Sequence, residues 1–126
     1  MNKEINLLEK ILEKKNTKID IIDNNGFSIL YNPIKYDCFK IVDLLLKYNK
    51  TNIGISIIDQ QDKFKNTPLH YSIIFKNFNI FQLLLKYNSD IIISDTNGNN
   101  ALHISVYSKK IEIIETILKK IDEDKL

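Results

Sequence analysis

The chain has 126 residues, 18 of them lysine and none arginine, against 16 acidic residues, for a net charge of +2. Nucleic-acid recognition draws on a concentrated basic face and on arginine forks for phosphate and guanine, so this balance argues against a nucleic-acid partner. A single cysteine, Cys38, excludes an internal disulfide and points to a reducing compartment, and no stretch approaches the ~18 apolar residues of a membrane span.

Residues 2–15 read as an amphipathic helix with Ile5, Leu8, Ile11 and Leu12 on one face. Lys3, Glu4, Glu9, Lys10, Glu13 and Lys14 lie elsewhere on it, leaving no apolar segment of the kind a secretory leader needs. Their mixed signs also argue against a helix lying on a membrane surface. A turn follows at Asp23-Asn24-Asn25-Gly26, then Phe27-Ser28-Ile29-Leu30-Tyr31 and Pro33. A proline inside a helix costs roughly 3 kcal/mol. Asn32 as N-cap with Pro33 at the first helical position avoids that cost, so a shortened or kinked helix is expected around residues 33–36. Ile41-Val42-Asp43-Leu44-Leu45-Leu46 then predicts a second helix, apolar on most of its circumference and therefore buried between neighbours. Asn49, tolerant of left-handed backbone, is expected to end it. Residues 50–55 lengthen the following connection, which loop-closure entropy tolerates; the insertion is either neutral or, through Ile53 and Ile55, adds to a contact surface or covers the back of the stack.

The next stretch, Asp62-Lys63-Phe64-Lys65-Asn66-Thr67-Pro68-Leu69-His70, reads as a turn leading into a helix capped by Thr67, with Pro68 in its first position. Lys65 stands where the first turn has Gly26, so it either carries about 1 kcal/mol of left-handed strain or forces another turn type. Ile80-Phe81-Gln82-Leu83-Leu84-Leu85 predicts the companion helix, ended by Asn88 after Tyr87. The pattern returns 33 residues later as Asp95-Thr96-Asn97-Gly98-Asn99-Asn100-Ala101-Leu102-His103, with Asn100 as cap, and closes on Ile113-Ile114-Glu115-Thr116-Ile117-Leu118. Lys119 and Lys120 suit a helix C-terminus, and the acids from Asp122 onward predict fraying.

Leu30, Leu69 and Leu102 are spaced by 39 and 33 residues, a period of 33 with one six-residue insertion. Together Thr67-Pro68-Leu69-His70, the Asp-x-x-Gly turns at Asp23 and Asp95 and the Leu-Leu-Leu runs resemble the ankyrin repeat. The resemblance implies an all-α solenoid of stacked helix-turn-helix units with β-turn tips, in one domain over residues 1–126. Its expected parts are an N-terminal cap helix at 1–22, a first repeat with the insertion at 23–61, a second at 62–94, and a third with the C-terminal cap at 95–126. It further implies that His70 and His103 bond turn backbone across repeat interfaces. These histidines share one place in a repeat rather than a metal site, and no Gly-rich phosphate loop or zinc-ligand spacing is present, so a non-enzyme without cofactor or metal is expected.

In proteins of this family, turn tips and exposed first-helix residues bind another protein. Carried onto this chain, the tips are Asn24, Asn25 and Phe27, then Lys63, Phe64 and Asn66, then Thr96, Asn97 and Asn99. The concave side offers Lys35 and Tyr36, Ile74 and Phe75, and Tyr107 and Ser108. Phe27, Tyr36, Phe64, Phe75 and Tyr107 are aromatics that the scaffold itself does not require; either they line one concave surface, where such residues dominate binding when desolvated, or Phe27 and Phe64 tuck onto neighbouring tips and Tyr36 compensates for the disturbed helix near Pro33. The expected molecule is a cytoplasmic monomer binding a protein of unspecified identity. The alternatives are an array joined through its caps and a targeting subunit for an enzyme on another chain. The heavy use of Ile, Asn and Lys resembles the coding bias of large DNA viruses, protists and intracellular bacteria, which would put the protein in a host cytoplasm or nucleus facing a host protein.

Overall fold

Residues 2–13, 18–51 and 56–124 are described by a computed structural model. Among them the chain forms seven helices: α1 (Asn2–Glu13), α2 (Tyr31–Lys35), α3 (Phe39–Thr51), α4 (Pro68–Ile74), α5 (Phe78–Lys86), α6 (Ala101–Ser108) and α7 (Ile111–Asp124). The α2/α3, α4/α5 and α6/α7 pairs are hairpins, and α1 stands alone before them. First helices pack on first helices, α2 against α4 and α4 against α6, while α1, α3 and α5 form a second row. An isolated antiparallel bridge between Ile22 and Ser28 is the extended pairing found among the described residues.

Local chemistry starts two of the first helices in the same way. The Thr67 hydroxyl accepts the His70 N–H, the His70 imidazole accepts the Thr67 N–H, and Pro68 follows in the position that needs no donor. Asn100 and His103 make the same reciprocal pair at the start of α6. The two helices of each hairpin are joined through a left-handed residue at one repeating place: Asp37 (φ 57°), Lys76 (φ 60°) and Lys109 (φ 56°). At the first of these joints the Asp37 and Cys38 N–H groups bond the Ile34 and Pro33 carbonyls, and at the second Lys76 and Asn77 bond Ile73 and Ser72. Orphan carbonyls at each helix end are thereby satisfied without the usual glycine. These turns went unforeseen because no glycine marks them.

The core runs unbroken through the pairs. Leu30, Ile34, Val42, Ile57, Leu69, Ile73, Ile80, Phe81, Leu84, Ala101 and Ile117 are fully buried in it. A Leu, Ile or Phe side chain withdrawn from water contributes roughly 1.5–3 kcal/mol, and here each pair gains it only by covering its neighbour. Polar contacts reinforce the stacking. The Asn77 side-chain amide donates to the Ile34 carbonyl, and the Tyr87 hydroxyl donates to Asp43 at 3.3 Å.

Several expectations need correction. Helix α2 starts at Tyr31 with Leu30 as N-cap, not at Pro33 after Asn32. Pro33 is its third residue, still in the first turn where an N–H has no intrahelical acceptor, so the proline costs little there. The Ser28 hydroxyl accepts the Leu30 N–H at 3.2 Å and shapes the entry. The helix is nonetheless short, at five residues. Asn49 does not end α3, which continues to Thr51; its side-chain oxygen instead accepts the Ile57 N–H at 3.2 Å. Asn88, by contrast, is left-handed (φ 67°) and follows α5 as expected. The fraying expected after Lys120 is also absent as far as Asp124: α7 runs to that residue, with Lys120 paired to it at 3.6 Å one turn on. In α1, which packs against α3, Ile5 and Leu12 are buried, but Ile11 is 42 % exposed. The expected extension of α1 to residue 15 and the loop residues Ile53 and Ile55 lie outside the described residues.

Candidate binding surface

Each turn tip is organised by one aspartate. Asp23 Oδ1 accepts the N–H groups of Asn25 and Phe27, both at 2.9 Å. Asp62 Oδ1 does so for Phe64 and Asn66 (2.9 and 3.0 Å), and Asp95 Oδ1 for Asn97 and Asn99 (2.9 and 3.0 Å). A carboxylate holding two N–H groups fixes the loop, so the intervening side chains are pushed out on a rigid support. Asn24, Asn25, Lys63, Phe64, Thr96 and Asn97 are exposed there. Adjacent tips are tied directly, the Thr96 N–H donating to the Phe64 carbonyl at 3.0 Å. Lys65 takes the left-handed conformation (φ 61°) that Gly26 (83°) and Gly98 (80°) take, so the second turn keeps its type at the expense of strain.

The third tip position points inward. Asn66 and Asn99 are half-buried, and the Asn66 amide donates to the Tyr71 hydroxyl at 3.4 Å. Phe27, at the same place in the first turn, stacks on Tyr31 with ring centroids 3.8 Å apart. Tyr31 meets Tyr71 edge-on at 4.8 Å, and Tyr71 stacks on Phe75 at 5.9 Å. Phe27, Tyr31, Tyr71 and Phe75 thus form one half-buried aromatic ladder that crosses from the first pair to the second. Of these, sequence reasoning singled out Phe27 and Phe75 and missed Tyr31 and Tyr71. The signal for Tyr31 was available, because it occupies the place of His70 and His103 in the first repeat.

The Tyr71 hydroxyl donates to Asp62 Oδ2. Burial, and after it this contact with the carboxylate, hold the phenol far above its ordinary range, so Tyr71 remains a neutral donor that anchors ladder to turn. The remaining aromatic candidates stand apart from the ladder. Tyr36 is 68 % exposed, Phe64 49 % and Tyr107 73 %. The ammonium of Lys35 lies 5.6 Å from the centre of the Tyr36 ring, and that of Lys63 lies 5.2 Å from the Phe64 ring. Two of the exposed aromatics therefore carry a cation over one face.

His70 is fully buried, its Nδ1 taking the Thr67 N–H at 3.2 Å and its Nε2 lying 3.0 Å from the Ile93 carbonyl. One neutral tautomer, with the proton on Nε2, satisfies both contacts. His103 keeps the local contact to Asn100 but is exposed. Among the described residues no group of three or more His, Cys, Asp or Glu is arranged to hold a metal, and no helix is long and apolar enough to cross a membrane.

Repeated caps, tips and histidines correspond to a known family. The family description "Ankyrin repeats (3 copies)" matches residues 54–125, more than half of the chain. This chain belongs to the ankyrin-repeat family. Similar proteins include an ankyrin repeat protein of Acanthamoeba polyphaga mimivirus, 33 % identical over 91 % of this chain and 15 % of its own length. One of Fowlpox virus is 31 % identical over 97 % of this chain and 20 % of its own length. The nuclear factor NF-kappa-B p105 subunit of Rattus norvegicus is 30 % identical over 77 % of this chain and 10 % of its own length. The ankyrin stack described here thus spans a fifth or less of the length of these relatives. Ankyrin repeats are in general protein-interaction modules, and the helical hairpin stack with its projecting turns is of that kind.

Proposed function

We propose that this ankyrin stack binds a partner protein through its turn tips and the exposed ends of its first helices, and acts by occupying that partner's surface without catalysis of its own. The observation that carries this reading is the set of exposed aromatics, Tyr36, Phe64 and Tyr107: Phe64 projects from a turn held by the two Asp62 bonds, Tyr36 caps the end of α2, and Tyr107 lies in the last turn of α6. Apolar rings kept in water on a preorganised support cost little further ordering when a partner covers them. Asn24, Asn25, Lys63, Thr96 and Asn97 supply hydrogen-bonding groups around them. Phe27, Asn66, Phe75 and Asn99, half-buried, contribute an edge each and the stiffness of the support. The viral relatives and the Ile-, Asn- and Lys-rich composition favour a host protein as partner, met in the host cytoplasm or nucleus.

The test is affinity capture with the purified chain, beside a Phe64→Ala/Tyr107→Ala variant of unchanged thermal stability. A protein retained by the native chain and lost with the variant is the expected result. Equal recovery by both would remove the tips and first-helix ends from the reading.

A further inference from the structure

The turn tips and the ends of the first helices share one face of the ankyrin stack. First helices pack side by side, α2 on α4 and α4 on α6, so their ends form one row. The tips form another, with Lys63 against Gly26 and the Thr96 N–H on the Phe64 carbonyl. The aromatic ladder joins the two rows: Phe27 of the first tip stacks on Tyr31, and Tyr31 meets Phe75, the residue that caps α4, at 5.9 Å.

Charge is divided unevenly between this face and the other helices. Helices α1, α3, α5 and α7 together carry nine acidic residues and eight lysines, which nearly cancel. The first helices and the joints that follow them, residues 31–38, 68–77 and 101–110, carry Lys35, Lys76, Lys109 and Lys110 against Asp37 alone. At the tips Lys63 and Lys65 are exposed. The acids there, Asp23, Asp62 and Asp95, each turn Oδ1 inward onto two backbone N–H groups of their own loop. The lysines also stand beside rings. The ammonium groups of Lys35 and Lys63 lie over Tyr36 and Phe64, while Lys76 and Lys109 closely follow Phe75 and Tyr107 in the chain. A net charge of only +2 thus hides a lysine-rich, ring-studded face.

We propose, resting on the reading of this face as the binding surface, that the partner protein offers it an acidic segment. Carboxylates of that segment meet Lys35, Lys63, Lys76 and Lys109, and apolar side chains between them cover Tyr36, Phe64 and Tyr107. An ammonium over an exposed ring is only weakly held, so a carboxylate reaches it from its open side and forms a charge-assisted hydrogen bond. A protein segment fits better than a polynucleotide because the lysines are spread singly among rings and no arginine supplies a fork for phosphate. Attraction of this kind speeds encounter and weakens as salt rises.

Selection of random peptides displayed on phage against the immobilised native chain tests this. Enriched peptides rich in Asp and Glu, with apolar residues between them, are the expected result. A Lys35→Gln/Lys63→Gln/Lys76→Asn/Lys109→Asn variant should bind the enriched peptide at least about tenfold less tightly, with a flatter salt dependence. A variant with Gln at Lys10, Lys40, Lys86 and Lys119 should keep the native affinity. All eight positions are exposed. Should the first variant melt early, Lys35→Gln/Lys63→Gln, which avoids the left-handed joints, takes its place with a smaller loss in the same direction. Acidic peptides that bind the first variant as tightly as the native chain overturn the proposal. Neutral or basic peptides whose binding is lost with Phe64→Ala/Tyr107→Ala overturn the acidic partner but leave the surface in place. No enrichment, or enrichment indifferent to both the aromatic and the lysine variants, overturns both readings. Single-stranded oligothymidine that binds the native chain and displaces the enriched peptide would assign the lysines to nucleic acid instead.

Discussion

At the scale of single residues, His70 couples the stack to pH. Burial lowers its pKa below the ordinary value, against the opposing pull of the Ile93 carbonyl and of Asp95, Asp62 and Asp59. A folded pKa below the unfolded one means that the unfolded chain binds the proton first. Stability contributed by neutral His70 is thus fully present above about pH 6.5 and falls as the pH drops below it. The geometry agrees, because a second ring proton would sit against the Thr67 N–H, which needs an acceptor. Urea unfolding at successive pH values should show this loss, and a His70→Asn variant should start less stable and show a flatter slope. Lys65 gives the converse case. Its left-handed backbone is the one Gly26 and Gly98 adopt freely, so Lys65→Gly should stabilise by about 1 kcal/mol, read from the urea midpoint at unchanged slope. The sequence exposed this conflict through the missing glycine at a recognisable turn. The same conflict at Asp37, Lys76 and Lys109 was not legible, because none of the three sits beside a turn residue that announces left-handed backbone.

At the scale of elements, the helix starts that carry a side-chain cap were readable in advance and the one without was not. Thr67 and Asn100 each precede a histidine at the third helical position, and the structure closes both caps as expected. In the first repeat, Asn32 and Pro33 offered a cap that the helix bypasses, because Tyr31 stacks on Phe27 and draws the helix start two residues earlier. Local preference yields there to packing between rings. The two starts should therefore respond differently to mutation. Thr67→Ala should cost about 1 kcal/mol. Pro33→Ala should stay within about 0.5 kcal/mol, since the proline occupies a first-turn position that lacks an intrahelical acceptor in any case. Thermal or urea unfolding of the two variants side by side checks the contrast. The second helices show the same limit from the other end: the Leu-Leu-Leu runs located α3 and α5, while the length of α3 depended on Asn49 turning its side chain to Ile57.

At the scale of the whole molecule, the regular period made the fold plain, whereas the binding surface was only partly visible. A period in the sequence reports contacts that every repeat must make, and a partner reads what the repeats do not share. Phe27, Phe64 and Phe75 looked alike as departures from the pattern, yet the structure separates them. Phe75 lies in the ladder against Tyr71 and Tyr31, while Phe64 stands 49 % exposed at a tip. Phe75→Ala should lower stability by roughly 1–3 kcal/mol, less than the full core value because the ring is only half-buried. Phe64→Ala should leave the unfolding curve in place and weaken capture of the partner; a drop in melting temperature with capture intact would reverse that assignment.

The two histidines differ in a further respect that follows from where they sit. Alike in their cap contacts but opposite in exposure, they make a pair of magnetic probes within one chain. The imidazole resonances of His70 report on the middle of the array and serve as a steady internal standard. Those of His103 lie on the exposed side of α6 and would move when anything settles there, so a single proton spectrum distinguishes events on that side from changes in the fold as a whole.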